Sequence, residues 1–413
     1  MSKRIVVTGL GAVTPIGNSV EEYWNALLEG KSGIDQISSF DTTGLAATIA
    51  GEVKDCDLGR FIEPKMAKRT DRSILLAIAA SYEAVKDSGI TDDNADKDRI
   101  GTIVASGIGG MNTLETETLR IHEKGPRRAS PFMIPMMIAD MPSGMVSIEH
   151  GFRGPNYGVV SACASGTHAI GDALIGIRAG MMDACLVGGT EAAVNRIAVA
   201  GFCAMKALST RNDDPTKASR PFDKDRDGFV IAEGSGLLIL ETLESAQARG
   251  ANIYAEIVGY GATGDAYHIS SPAEGGEGAQ RSMKMAMDMA GISPEDVDYI
   301  NAHGTSTPMN DRNETAAIKA VFGDHAKNLS VSSTKSMTGH LLGASGGIEA
   351  VAAVLAVKND IVPPTINYTT PDDGLDLDYT PNAPKKRTVN YALSNSLGFG
   401  GHNGTLIFKK FSE

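Results

Sequence analysis

Three things are scarce in this 413-residue chain: aromatic residues (5%), cysteine (four), and basic charge, with 38 Lys and Arg against 50 Asp and Glu for a formal net charge of −12. The acidic balance is wrong for a general nucleic-acid binder, which normally carries a basic face and a high pI. Cys56, Cys163, Cys185 and Cys203 lack CxxC spacing, so neither a metal knuckle nor a disulfide framework is expected. Long apolar runs are also missing. The longest kind, at residues 74–80 and 350–357, falls far short of the roughly 18 residues of a membrane span. The opening Lys3-Arg-Ile-Val-Val7 superficially resembles a secretory signal, but Thr8, Gly9, Gly11 and Pro15 interrupt it and no small-x-small cleavage site follows. A cytoplasmic protein without membrane or nucleic-acid partners is expected.

What is present is ample core material, with 42% hydrophobic residues, and 47 glycines, well above the roughly 7% of average usage. No G-X-Y period accompanies them, so they suggest tight turns and close backbone approaches. The length suits two or three domain-sized units or one duplicated fold. Short β-branched runs at 4–8, 100–105, 184–187, 236–240, 254–258, 299–302, 329–332 and 405–408 read as strands. Helical patterns at 74–88, 164–179, 280–290 and 345–358 fit between them. That alternation predicts an α/β protein with largely parallel sheets. The halves also echo one another. Val104-Ala-Ser-Gly107 resembles Asn301-Ala-His-Gly304, Ala164-Ser-Gly166 resembles Ala344-Ser-Gly346, and Gly236-Leu-Leu-Ile-Leu240 resembles Gly404-Thr-Leu-Ile-Phe408. Their offsets of 197, 180 and 168 residues shrink in order, as a duplication with shorter loops in its second copy requires. The division expected is 1–250 and 251–413, with the chemistry in the cleft between copies.

Ser161-Ala-Cys-Ala-Ser-Gly-Thr-His-Ala-Ile-Gly171 sets Cys163 just before a helix whose Ile170, Ala173, Leu174 and Ile177 follow helical spacing. A thiol at a helix N-terminus feels the positive end of the dipole, which favours the nucleophilic thiolate. An isolated cysteine is ordinarily a buried structural residue, and Cys185, inside an apolar strand, reads that way. Asn301-Ala-His-Gly-Thr-Ser-Thr-Pro308 presents His303 in a small-residue turn after a strand. Ser332-Ser-Thr-Lys-Ser-Met-Thr-Gly-His-Leu-Leu-Gly343 presents Lys335 and His340 in another. His122, His150 and His325 sit among charged residues and read as surface positions. His168 lies five residues past Cys163, roughly 140° around the helix.

With these motifs together, the chain resembles the 3-oxoacyl-(acyl-carrier-protein) synthases, nearest the type II condensing enzymes of bacterial fatty-acid synthesis. The resemblance runs from Val6-Val-Thr-Gly-Leu-Gly11 to Gly398-Phe-Gly-Gly-His-Asn-Gly404. It implies the thiolase fold, two duplicated α/β halves in a five-layer αβαβα arrangement, with the nucleophile in 1–250 and both histidines in 251–413. It also implies a homodimer, and no cofactor beyond the phosphopantetheine that arrives on the acyl carrier protein. The implied reaction is a decarboxylative Claisen condensation. Cys163 takes the acyl chain as a thioester, and loss of CO₂ from a malonyl thioester makes the carbanion. His303 and His340, as neutral imidazoles, hydrogen-bond the developing enolate oxygen, with Lys335 beside them tuning the site.

By the same resemblance, backbone N–H groups of Cys163 and Phe399 form the oxyanion hole and Phe399 gates the acyl chain, although Leu397 stands where many relatives carry phenylalanine. Ile108 and Phe202 line the acyl pocket, and Thr305 and Thr307 bind phosphopantetheine. No metal is required, but relatives suggest a structural cation near Asn301, Glu349, Ser394 and Asn395. An acidic carrier needs a local basic patch on an acidic enzyme. Lys65, Lys68, Arg69 and Arg72 cluster, as do Lys124, Arg127 and Arg128, with Lys206 nearby in the family fold.

Asp223-Lys-Asp-Arg-Asp-Gly228 begins like a calcium loop but reaches Glu233 one residue early. Asp372, Asp373, Asp376 and Asp378 read as a solvated acidic loop. A degradative thiolase would carry a second cysteine near its C-terminus, and none follows Cys203. A silent chain-length partner would lack Cys163. A type I synthase or polyketide-type ketosynthase shares the Cys-His-His set and stands as the alternative.

Overall fold

The computed structural model describes residues 3–413. Among them, one mixed sheet of nine strands forms the frame: Ile5–Val13 (β1), Ile100–Ala105 (β2), Ala184–Ala192 (β3), Glu233–Thr242 (β4), Ala255–Gly264 (β5), Tyr299–Asn301 (β6), Ser330–Ser332 (β7), Tyr391–Gly398 (β8) and His402–Lys410 (β9). The helices that matter to the site are Arg72–Ser88 (α1), Ser165–Arg178 (α2), Arg196–Ala204 (α3), Glu277–Ala290 (α4), Pro308–Phe322 (α5) and Ser345–Asn359 (α6).

The sheet order is β2-β3-β4-β1-β5-β9-β8-β6-β7. Outward from the β1–β5 seam, which is only Val6–Glu256 and Val7–Ala255 wide, the two directions repeat. Antiparallel pairs β1–β4 and β4–β3 lead to parallel β3–β2, and antiparallel β5–β9 and β9–β8 lead to parallel β8–β6. Parallel β7 then follows β6, and a lone parallel bridge from Thr102 to Asn156 stands in its place in the first half. All three sequence echoes fall at equivalent points of this repeat. The expectation of largely parallel sheets is overturned: five of the eight adjacent pairings are antiparallel. Alternating strands and helices signal crossovers but do not say which way the returning strand enters. The short turn after β8, for example, forces β9 back antiparallel.

Strand residues alternate between two faces, and the cores follow that alternation. Leu186, Leu237 and Ile239 face α1 in one outer layer, while Leu393, Ile407 and Ile300 meet α4 and α5 in the other. Cys185, Val187, Leu238 and Leu240 of one half and Ala392, Leu406 and Phe408 of the other face inward onto α2 and α6. The result is five layers, helix–sheet–helix–sheet–helix. A further echo escaped the sequence reading. A Cβ on Gly9 or Gly11 would lie 2.2 or 2.0 Å from the Ala84 or Ala80 carbonyl oxygen, and one on Gly259 or Gly261 would lie 2.3 or 2.0 Å from that of Ala286 or Ser282. Each half uses a Gly-x-Gly strand so that its outer helix can rest on the backbone. No helix among the described residues is long and apolar enough to cross a membrane.

Candidate active site

Cys163 lies in a 3₁₀ turn, Ala162–Ala164, that runs straight into α2. The turn is tight enough to hold Ala162 at φ +51, a conformation uncommon for a residue with a Cβ. The other half repeats it before α6, with Leu342 at φ +47 and Gly343 where the first half has Cys163. Under the thiol runs the β8–β9 turn. A Cβ on Gly398 would sit 2.8 Å from the Ser161 carbonyl oxygen and 3.2 Å from the Cys163 nitrogen, so only glycine allows the next residue, Phe399, to aim its backbone N–H at the sulfur.

His303 follows β6 in a loop pinned from behind. Its N–H and that of Gly304 each donate to the buried Glu314 carboxylate at 2.8 Å. His340 is held by backbone bonds to Val230 and Ala232, and its Nδ1 meets the Ser345 hydroxyl at 3.0 Å. The two imidazoles stand edge to face, centroids 5.3 Å apart. Nδ1 of His303 and Nε2 of His340 are buried without a partner. In the tautomer where the Ser345 hydroxyl donates to Nδ1, the proton of His340 resides on Nε2, free to be donated.

Burial holds both histidines well below the ordinary imidazole range, with the Lys335 charge pushing the same way. They are neutral at pH 7. Lys335 is itself fully buried and paired with Glu349, whose carboxyl burial raises to about 7 against the pull of Lys335. Cys163 corrects the expectation of a resting thiolate: desolvation pushes it up to about 12, and Lys335 and the Phe399 N–H only moderate this. Burial outweighs the helix end.

A cavity of about 490 Å³ joins these groups. Cys163, His303, His340, Phe399, Ile108, Phe202, Thr305 and Thr307 all line it, with Lys206 exposed at its rim. Phe399 and Phe202, the latter from α3, lie 6.5 Å apart between ring centroids, and Thr305 and Thr307 share a 2.9 Å hydroxyl bond.

Lys65, Lys68, Arg69, Arg127 and Arg128 are exposed. Lys68, Arg69 and Ser130 line one groove, and Arg69 lies 4.6 Å over the Phe132 ring, so the first two basic clusters adjoin. Arg72 borders the same groove but its charge is spent on buried Glu233, which it binds at 2.6 and 2.8 Å. Asn301, Ser394 and Glu349 Oε2 are buried without partners, whereas Asn395 accepts from Thr405 at 2.9 Å.

Other readings change. His150 is half-buried, bonded to Ser81 at 2.8 Å and lowered to about 4 by burial. His325 bonds the Val297 carbonyl at 2.9 Å. Asp223 spends one carboxylate oxygen on the N–H groups of Thr369 and Thr370, which is structural anchoring. The acidic loop is not freely solvated, because Asp372 pairs with buried Arg226 at 2.9 Å and Asp378 with Lys385 at 2.6 Å. Sequence reasoning missed Glu314, Ser345 and Glu191. Glu314 did leave a signal, sharing one helical face with Ala317, Ile318 and Val321, all buried.

The beta-ketoacyl synthase N-terminal domain model matches residues 2–246 and the C-terminal domain model residues 254–369. The chain is 56% identical over 409 residues to the Synechocystis sp. 3-oxoacyl-[acyl-carrier-protein] synthase 2, covering 99% of this chain and 98% of that one. It is 55% identical over 410 residues to the Staphylococcus aureus protein of the same name, covering 99% of each. A solved structure described as a type II PKS acyl-carrier protein in complex with its ketosynthase bound to the hexaketide superposes with TM-score 0.93 at 36% identity, covering all of both chains. With both domain models in sequence over a thiolase-type duplicated frame, the chain belongs to the beta-ketoacyl synthase family.

Proposed function

We propose that the protein elongates acyl chains by decarboxylative condensation, joining an acyl group held on Cys163 to malonyl-acyl-carrier protein and releasing 3-oxoacyl-carrier protein and CO₂. The observation that carries this is a single cavity lined by a helix-start thiol, two neutral imidazoles and the Phe399 turn. In the first half-reaction Cys163 sulfur attacks the acyl thioester, the carbon–sulfur bond to the carrier breaks, and the Cys163 proton leaves with the carrier thiol. The N–H groups of Cys163 and Phe399 hold the tetrahedral oxyanion. In the second, loss of CO₂ leaves the malonyl electron pair as an enolate, and His340 and His303 donate to its oxygen, with His303 assisting decarboxylation. The enolate carbon attacks the Cys163 thioester, the carbon–sulfur bond breaks, and the sulfur takes up a proton.

Lys335 adds to the burial that keeps both imidazoles neutral and lowers the cost of sulfur carrying charge. Thr305 and Thr307 hold the phosphopantetheine arm, Ile108 and Phe202 bound the acyl chain, and Phe399 gates it. Lys65, Lys68, Arg69, Arg127, Arg128 and Lys206 receive the acidic carrier. The functional division is 1–250 and 251–413. The unpartnered oxygens of Asn301, Ser394 and Glu349 fit a hard cation that would brace this region without taking part in the chemistry, while Asn395 is already engaged. A homodimer is supported by exposed Tyr157, Val160 and Ile175, the first two just past the Asn156 bridge at the β2 edge. Four free thiols suit a reducing cytoplasm. A polyketide-type role is disfavoured by the higher identity to relatives named for 3-oxoacyl-carrier synthesis.

Purified protein given acyl- and malonyl-carrier substrates should yield the two-carbon-longer 3-oxoacyl product, with the acyl intermediate trapped on the Cys163 peptide by mass spectrometry. Acyl groups trapped elsewhere, or no condensation, would defeat the assignment.

A further inference from the structure

Two loops from opposite halves end on one side chain. Glu191, at the end of β3 and fully buried, accepts from the Ser106 hydroxyl at 2.7 Å and the Ile108 N–H at 3.4 Å on one oxygen. Its other oxygen accepts from the Gly107 N–H at 2.7 Å and the Gly343 N–H at 2.9 Å. A Cβ on Gly343 would lie 2.2 Å from the Gly107 nitrogen and 2.7 Å from Glu191 Oε2, so the backbones close directly around the carboxylate. Ile108 is a wall of the cavity, and the segment that ends at Gly343 carries His340 and Leu342 into it. A buried carboxylate is costly unless its lone pairs are satisfied, and here converging neutral donors do so. Glu314 serves the second half in the same way, receiving Gly304, the topological counterpart of Gly107.

We propose that Glu191 is a positioning residue for condensation, fixing the Ile108 wall of the acyl pocket against the loop that aims His340. Pocket depth and enolate stabilisation are then set by one side chain, and a chain that presses on Ile108 disturbs the imidazole. The inference rests on the roles given above to Cys163, His303 and His340.

The test compares Glu191→Ala, Glu191→Gln and Glu191→Gln/Ser106→Ala in the full-length protein. It reads Cys163 acylation from hexanoyl- to stearoyl-carrier, elongation kcat and KM, and the thermal midpoint. Glutamine can keep its oxygen on the Gly107 and Gly343 N–H groups while its amide donates to a reoriented Ser106 hydroxyl, giving up only the long Ile108 N–H bond. The double variant removes that acceptor, which also serves the Gly109 N–H, so Ser106→Ala alone is measured as its control. Glu191→Ala should lose roughly 10- to 100-fold in kcat and flatten the chain-length profile, with KM for malonyl-carrier within about twofold, because small misplacements carry such costs. Glu191→Gln should keep about a third or more of kcat, and the double variant should fall towards alanine.

Wild-type kcat and profile in Glu191→Ala would overturn the proposal. So would a glutamine variant as impaired as alanine, which would assign the effect to charge. If the alanine variant does not fold, equal kcat in Glu191→Gln and the double variant overturns it. A wild-type protein that condenses but does not acylate Cys163 would instead defeat the underlying site assignment.

Discussion

Cys163 sits under two opposed influences, a helix start that favours its anion and a dry pocket that resists it, and the dry pocket prevails. Because its pKa is raised, the thiolate fraction grows with pH throughout the neutral range. Iodoacetamide labelling of Cys163 should therefore climb about tenfold per pH unit from 7 to 9 without levelling; a plateau below pH 8 would mean the anion is already formed at rest. In the proposed mechanism enolate formation uses the imidazoles but not the sulfur, so Cys163→Gln should abolish condensation while malonyl-carrier decarboxylation, followed by CO₂ release, persists. Loss of both activities would show that the thiol is needed for enolate formation. Cys163, His303 and His340, which the fold brings to one cavity, were legible as candidates because cysteine and histidine are rare and chemically distinctive. Glu191 was not, because among 50 acidic residues nothing local separates it from a solvated one, and Glu314 left only its place on an apolar helix face. Their meaning comes from which backbone N–H groups the fold delivers to them.

At the level of elements, the central helices meet end to end. A Cβ on Gly346 would lie 2.3 Å from the Thr167 nitrogen, and one on Gly166 would lie 2.9 Å from the Gly347 nitrogen. Neither obstacle is a side chain that can rotate away. Gly346→Ala should lower stability by about 1–3 kcal/mol, read as a lower denaturant midpoint, and an unchanged midpoint would mean the helices part freely. The strongly patterned helices were readable to within a few residues. β8 was not, since Tyr391–Gly398 is mostly small and polar; it becomes a strand because β9 and β6 satisfy its backbone on both sides. Strand direction was hidden for a similar reason, being settled by partners distant in sequence.

For the whole molecule, a net charge of −12 should repel an acidic carrier at long range. At 0.1 M salt the Debye length is about 10 Å, so a local basic patch decides docking. Reversing Arg127 and Arg128 to glutamate should raise KM for acyl-carrier more than for acyl-CoA, and equal effects in steady-state kinetics would remove these residues from the docking surface. The five-layer order also has a consequence for synthesis. The apolar residues of α2 are buried in one core with α6 and the strands of the second half, yet α2 ends at Arg178 and α6 begins at Ser345. At about 5–20 residues per second, the ribosome leaves that apolar surface waiting for roughly 8–35 s, long enough to need sheltering by a chaperone before its covering helix has been translated.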